Sequence, residues 1–161
     1  MQDQFQWPPA EDPADERILH DVRTHGCHIV QVLSDGSAPE YAFSVGLYLN
    51  YGQAELAIFG LDRRDAANVI NEVRARAAAG RLYADGDVCD DLLIDRRLSF
   101  ARIPGSAYRP YFGTALWFYG TTRRPFPILQ MIWPDGAGRF PWESDYDANL
   151  TAYQPVLRSL S

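Results

Sequence analysis

The chain has 161 residues, of which 47% are hydrophobic, 13% aromatic and 22% charged, a balance that excludes a disordered, collagenous or fibrous protein and predicts one globular domain. A domain of about 150 residues buries roughly 70% of the surface its unfolded chain exposes, so no metal or disulfide staple is needed. All fifteen basic residues are arginine and stand against twenty-one acids for a net charge of −6, which argues against general nucleic-acid binding, because that affinity comes from cations set against phosphates.

Residues 1–11, with Pro8, Pro9 and acids, read as an extended lead-in whose Phe5 and Trp7 could anchor on the body, and residues 12–161 read as a single α+β domain. Asp12 is a good N-cap before Pro13, and Asp15 and Glu16 suit the positive end of a helix that runs to His25 and stops at Gly26. The β-branched run Cys27–Leu33 predicts a strand. A second follows over Tyr41–Leu49, antiparallel to the first, and Glu55–Gly60 supplies a third whose unbroken apolar character predicts burial on both faces. Asp62 then caps the clearest helix, on which Ala66, Val69, Ile70, Val73 and Ala77 recur at helical spacing before Gly80.

Residues 81–95 form an acidic segment with short strand potential at Arg81–Tyr83 and Val88, and Arg96–Ile103 predicts another strand, stopped by Pro104-Gly105. Ser106–Tyr119 suits helix or strand, Phe126–Trp133 predicts a strand, and a short last helix is expected near Pro155–Leu160. Strands in adjacent runs, with helices between groups, favour a mostly antiparallel sheet with two main helices over a doubly wound fold. The acidic start and the lack of a long apolar run predict no leader and no membrane span, and Cys27 and Cys89 form no Cys-x-x-Cys unit, so a reducing cytoplasm is expected.

Several residue groups invite chemistry. Asp21 and His25 share a helical face and His28 lies just beyond Gly26, so these three could hold a metal, although His25 at a helix C-terminus also suits a capping role. Cys27 and His28 are strand neighbours that point to opposite faces and cannot pair, which favours a buried structural thiol. Ser44 lacks the glycine two residues earlier that a nucleophile elbow requires and reads as a strand serine. Asp85, Asp87, Asp90, Asp91 and Asp95 fail the calcium-loop pattern and read as a solvated acidic loop or a patch for a basic partner.

A charge boundary is more informative. No acid lies between Asp95 and Asp135, while Arg96, Arg97, Arg102, Arg109, Arg123 and Arg124 give this segment +6 and leave the rest of the chain at −12. Twelve of the twenty-one aromatic residues lie between Tyr108 and Tyr153. Guanidinium groups beside flat rings suit a phosphate or carboxylate attached to a planar group, which makes Arg109, Arg123, Arg124, Trp117, Trp133 and Trp142 the candidate ligand-binding residues. The competing expectation is that these arginines pair with the acidic half of the chain and that most of the rings are core.

Gly26-Cys27-His28, Phe43-Ser44-Val45-Gly46-Leu47, Glu55-Leu56, Phe59-Gly60-Leu61, Leu129-Gln130, Trp133-Pro134-Asp135 and Phe140-Pro141-Trp142-Glu143 together resemble a bacterial family known as domain of unknown function 4262, over about Asp12 to Leu157. Ala54 and Cys27 stand where that family usually carries proline and often tryptophan. The resemblance implies a small soluble bacterial protein and no particular activity. A looser likeness of Tyr41–Gly60 to flavin-binding split barrels is fold-level analogy. The leading expectation is a non-catalytic binding module for a protein partner, such as a basic toxin that it neutralises, or for an anionic small molecule. The alternatives are a flavin- or phosphate-ligand enzyme of split-barrel type and, below it, a metal-dependent hydrolase built on Asp21, His25 and His28; no cofactor is specified.

Overall fold

The computed structural model describes residues 4–120 and 125–160. Helix α1 spans Pro13–His25, with the Asp12 side chain accepting from the Asp15 amide and Gly26 closing it in the left-handed region. Strands β1 (His28–Val32) and β2 (Tyr41–Val45) pair antiparallel, as the paired apolar runs predict. The second run does not stay extended to Leu49. Gly46 turns the chain at φ 107°, and Leu47–Tyr51 forms a short helix, α2. The reason lies eight residues further on, where Glu55 captures the amides at the start of that helix.

Strand β3 (Glu55–Phe59) is followed by α3 (Arg63–Ala78), capped by Asp62. Strands β4 (Val88–Leu93) and β5 (Arg96–Arg102) form a hairpin, with Asp95 at φ 58° in its turn. Arg81–Tyr83 is not a strand; the Gln53 side chain holds the Tyr83 amide and the Tyr83 ring stacks on Phe100 at 4.6 Å. The segment after β5 resolves into helices α4 (Tyr108–Tyr111) and α5 (Gly113–Tyr119), and β6 covers Ile128–Ile132. A last 3-10 turn spans Leu157–Leu160.

The six strands make one open sheet in the order β1-β2-β3-β6-β5-β4, antiparallel except where β3 runs parallel to β6. This is a mostly antiparallel α+β fold, and β1 and β4 are its free edges, so the likeness to split barrels does not extend to a closed barrel. The two central strands, β3 and β6, are buried at every residue, because each face of the sheet carries its own core. On one face α1, α4 and α5 pack Val22, Phe112 and Phe118 over Phe43 and Phe59. On the other α3 packs Val69, Ile70 and Val73 over Leu56, Ile58 and Met131. The alternation along β3, with Ala57 and Phe59 on one side and Leu56 and Ile58 on the other, feeds both.

Phe5 and Trp7 of the lead-in pack on Phe118, and the Arg23 guanidinium lies 4.0 Å from the Trp7 ring centre. No helix among the described residues is long and apolar enough to cross a membrane.

Candidate functional site

The polar residues of the sequence motifs hold backbone. Glu55 is fully buried, and its carboxylate accepts from the Ser44 hydroxyl at 2.7 Å and from the amides of Gly46, Leu47 and Tyr48 at 3.0, 3.2 and 3.1 Å. The Tyr119 hydroxyl is a fifth donor. Ser44 and Tyr119 in turn accept from the amides of Leu56 and Leu49, so every hydroxyl around the carboxylate is oriented to donate to it. Burial pushes the Glu55 carboxyl above its ordinary value, and the hydrogen bonds from Tyr119, Ser44, Tyr48 and Gly46 act against that push. The Tyr119 phenol is raised by its own burial and by the Glu55 charge. This cluster closes the turn from β2 into α2 and ties it to α5.

Asp135 does the same for the loop after β6. Burial alone would raise its carboxyl, but the amides of Arg139, Asp147 and Ala137 and the Arg139 guanidinium hold it below its ordinary value. Gln154 pairs its amide with both backbone groups of Trp133, at 2.8 Å each, and Gln130 pairs with the Pro155 carbonyl and the Leu157 amide. Two glutamines thus imitate a neighbouring strand and fasten the tail to β6. Ser44 is the buried strand serine expected of it. Burial, and then the charge of Glu55, push the Cys27 thiol up to about 12, which keeps it protonated and unreactive at neutral pH.

The candidate ligand residues separate. Trp133 is buried on the α3 face, where its indole donates to the Phe59 carbonyl at 2.7 Å and Arg96 lies over its ring at 5.9 Å. Trp117 packs against the core of the opposite face, so the sheet stands between these two rings. Arg109 is exposed on α4, and Arg123 and Arg124 lie outside the described residues. Trp142 is 46% exposed. It stacks on Phe140 at 5.0 Å and 7°, with the Arg158 guanidinium 4.5 Å from its ring centre and that of Arg97 5.0 Å from Phe140.

Arg158 also borders a cleft of about 380 Å³, whose other walls include Arg102, Pro104, Tyr108, Pro125 and Phe126. Strand β5 ends at Arg102, α4 begins at Tyr108, and the Tyr108 hydroxyl donates to the Phe126 carbonyl at 2.7 Å, which fixes the ring in the wall. Among the described residues, no ion pair joins Arg96, Arg97, Arg102 or Arg109 to an acid. The acidic segment finds other partners: Asp91 pairs with Arg76 at 2.7 Å, Asp87 accepts from the Ala84 amide and Asp85 from the Arg102 amide.

In the sequence Arg102 stands out only as one of six arginines in the acid-free segment, and Arg158, Tyr108 and Phe126 carry no mark of a site. Nothing local marks them, since they meet only when the tail returns to the end of β5. Near α1, the Asp21 carboxylate accepts from His28 Nδ1–H at 2.8 Å. Among the described residues, the group of three whose ligand atoms all lie within 4.8 Å of one another is His20, Asp21 and His25, so His20 takes the place that His28 was expected to fill.

Comparison with known proteins adds one finding: the profile of a family described as domain of unknown function (DUF4262) matches residues 21–147. No curated protein matches the chain, and no solved structure does.

Proposed function

The chain belongs to the DUF4262 family, a membership that assigns no chemistry, and from the molecule's own geometry we propose a non-catalytic binding module for a small anion that carries a planar group. The supporting observation is the cleft in which Arg102 and Arg158 share walls with Tyr108 and Phe126. Its size falls in the range of small-ligand sites, roughly 300–1,000 Å³. Two guanidinium groups can chelate a phosphate or carboxylate through paired N–H donors, and the rings offer a flat apolar contact for the remainder. A binding role rather than a catalytic one is supported by the lining of this cleft, which among the described residues holds no carboxylate, histidine, serine or cysteine.

The test is titration calorimetry on the full chain with adenosine monophosphate, flavin mononucleotide, benzoate and inorganic phosphate as probes. Saturable binding of a planar anion, tighter than that of phosphate alone and weakened about 10- to 100-fold by Arg102→Ala or Arg158→Ala, is expected from the loss of a charge-assisted hydrogen bond. Failure of every probe to bind, or equal binding by both variants, refutes the reading. Selective binding of flavin mononucleotide would instead favour the flavin-dependent alternative. A protein partner is a second reading, favoured by the exposed apolar side chains Leu82, Val88 and Ile94, the last 91% exposed at the tip of the β4–β5 hairpin. The exposed carboxylates of Asp85, Asp87 and Asp90 nearby in sequence would select a basic partner.

A further inference from the structure

We propose that the C-terminal half of α1 carries a binding site for a divalent transition-metal ion, with His20, Asp21 and His25 as ligands and His28 as the residue that positions Asp21. The ligand atoms of the three lie within 4.8 Å of one another. An ion bound at about 2.0–2.2 Å would bring them to separations of about 3.3 Å. That adjustment is open to His20 and His25, which are exposed and whose rings already face each other edge to face at 6.2 Å.

Three features make this more than two surface histidines. His28 donates to Oδ2 of Asp21 at 2.8 Å while the two side chains are only 18% and 27% exposed, which restricts the carboxylate to one orientation. A ligand fixed by an outer hydrogen bond is how binding sites keep their geometry before the metal arrives. The last carbonyls of a 13-residue helix also place a partial negative charge at this end of it. Asn50 Nδ2 donates to the Val22 and Gly26 carbonyls at 3.1 and 2.8 Å, so α2 pins the end of the helix that carries the ligands.

Two imidazoles and one carboxylate are borderline donors that suit Zn²⁺, Ni²⁺, Co²⁺ or Cu²⁺ over Ca²⁺ or Mg²⁺, which take mainly oxygen. Three protein ligands leave at least one coordination position for water or an exchangeable ligand. The site lies on α1, is built from none of the residues that line the Arg102–Arg158 cleft, and stands or falls independently of it.

The experiment is equilibrium dialysis and titration calorimetry with Zn²⁺ and Ni²⁺ on the full chain prepared without a histidine tag, with Co²⁺ absorption as an independent report of coordination. One ion per chain is expected. His20→Ala and His25→Ala, both at exposed positions that leave the fold intact, should remove stoichiometric binding and the Co²⁺ bands. His28→Gln should weaken Zn²⁺ by about 10- to 100-fold, the range for loss of an outer-sphere partner, while one ion is still bound at saturation. Absence of stoichiometric binding to the unmodified chain, or binding by the His20 and His25 variants equal to it, overturns the proposal. Binding lost with His20 and His25 but untouched by His28→Gln overturns the positioning role.

Discussion

Replacing Glu55 by glutamine tests a buried side chain that five donors surround, with the smallest possible change of shape. The carboxylate receives five donors, two on Oε1 and three on Oε2. An amide must turn one oxygen into NH₂. Placing it at Oε2 sets a donor against the amides of Gly46 and Tyr48, so the less costly orientation puts it at Oε1, where Ser44 can rotate and accept. That arrangement still leaves the Leu47 amide without an acceptor and the Ser44 proton without its partner. An orphaned buried amide costs about 1–3 kcal/mol, and the three hydrogen bonds that remain fall from charge-assisted to neutral strength, about 1 kcal/mol each. The neutral side chain regains part of this, because a buried charge carries its own desolvation cost. The net expectation is a loss of about 2–4 kcal/mol. Urea unfolding followed by tryptophan fluorescence reads it as a lower midpoint with an unchanged slope. A midpoint equal to that of the native chain, or higher, would refute the view that an ionised Glu55 organises the β2–α2 turn.

Two further outcomes are expected. Gly46→Ala combines a backbone at φ 107° with a Cβ that would sit 2.7 Å from Val22 Cγ1, so it should destabilise by about 1–3 kcal/mol or more; adding Val22→Ala should fail to restore the part due to backbone strain, and full rescue in the double variant would locate the whole effect in the steric clash. The thiol of Cys89 and the guanidinium of Arg76 hold the Asp91 carboxyl at about 2, below its ordinary 3.8. A depressed carboxyl contributes stability that is complete above its unfolded value and lost as pH falls through the folded one. The native urea midpoint should therefore drop more steeply than that of Asp91→Asn between those two values, and parallel curves would show that the Arg76–Asp91 link carries none of the acid sensitivity.

The two long helices and most strands could be read from the chain because their signals are local. Asp12 and Asp62 sit at the caps, Gly26 terminates α1, and the spacing of Ala66, Val69, Ile70 and Val73 is that of one helical face. The error over Tyr41–Leu49 has an equally physical source. An unbroken apolar run does not distinguish a strand from a strand followed by a buried helical turn, and the choice was made by Glu55, which accepts the three amides of residues 46–48. The ambiguity of Ser106–Tyr119 was resolved by packing, since Phe112, at the junction of α4 and α5, and Phe118, on α5, fill the core above Phe43 and Phe59.

The candidate sites divide along the same line. The histidine cluster was visible because its members lie within a few residues of one another, although which of them converge depended on how α1 ends. The cleft between Arg102 and Arg158 was not visible, because its walls come from the end of β5, the start of α4, the approach to β6 and the C-terminal tail. Composition, caps and periodicity by themselves determined an α+β domain with α1, α3 and a mainly antiparallel sheet, since each depends on neighbours in the chain. Only the tertiary structure decided that Glu55 meets Tyr119 across 64 residues, that Trp117 and Trp133 occupy opposite faces, and that an arginine of the tail shares a wall with an arginine of β5. Such contacts are set by burial and hydrogen-bond satisfaction over the whole molecule, and no local pattern carries them.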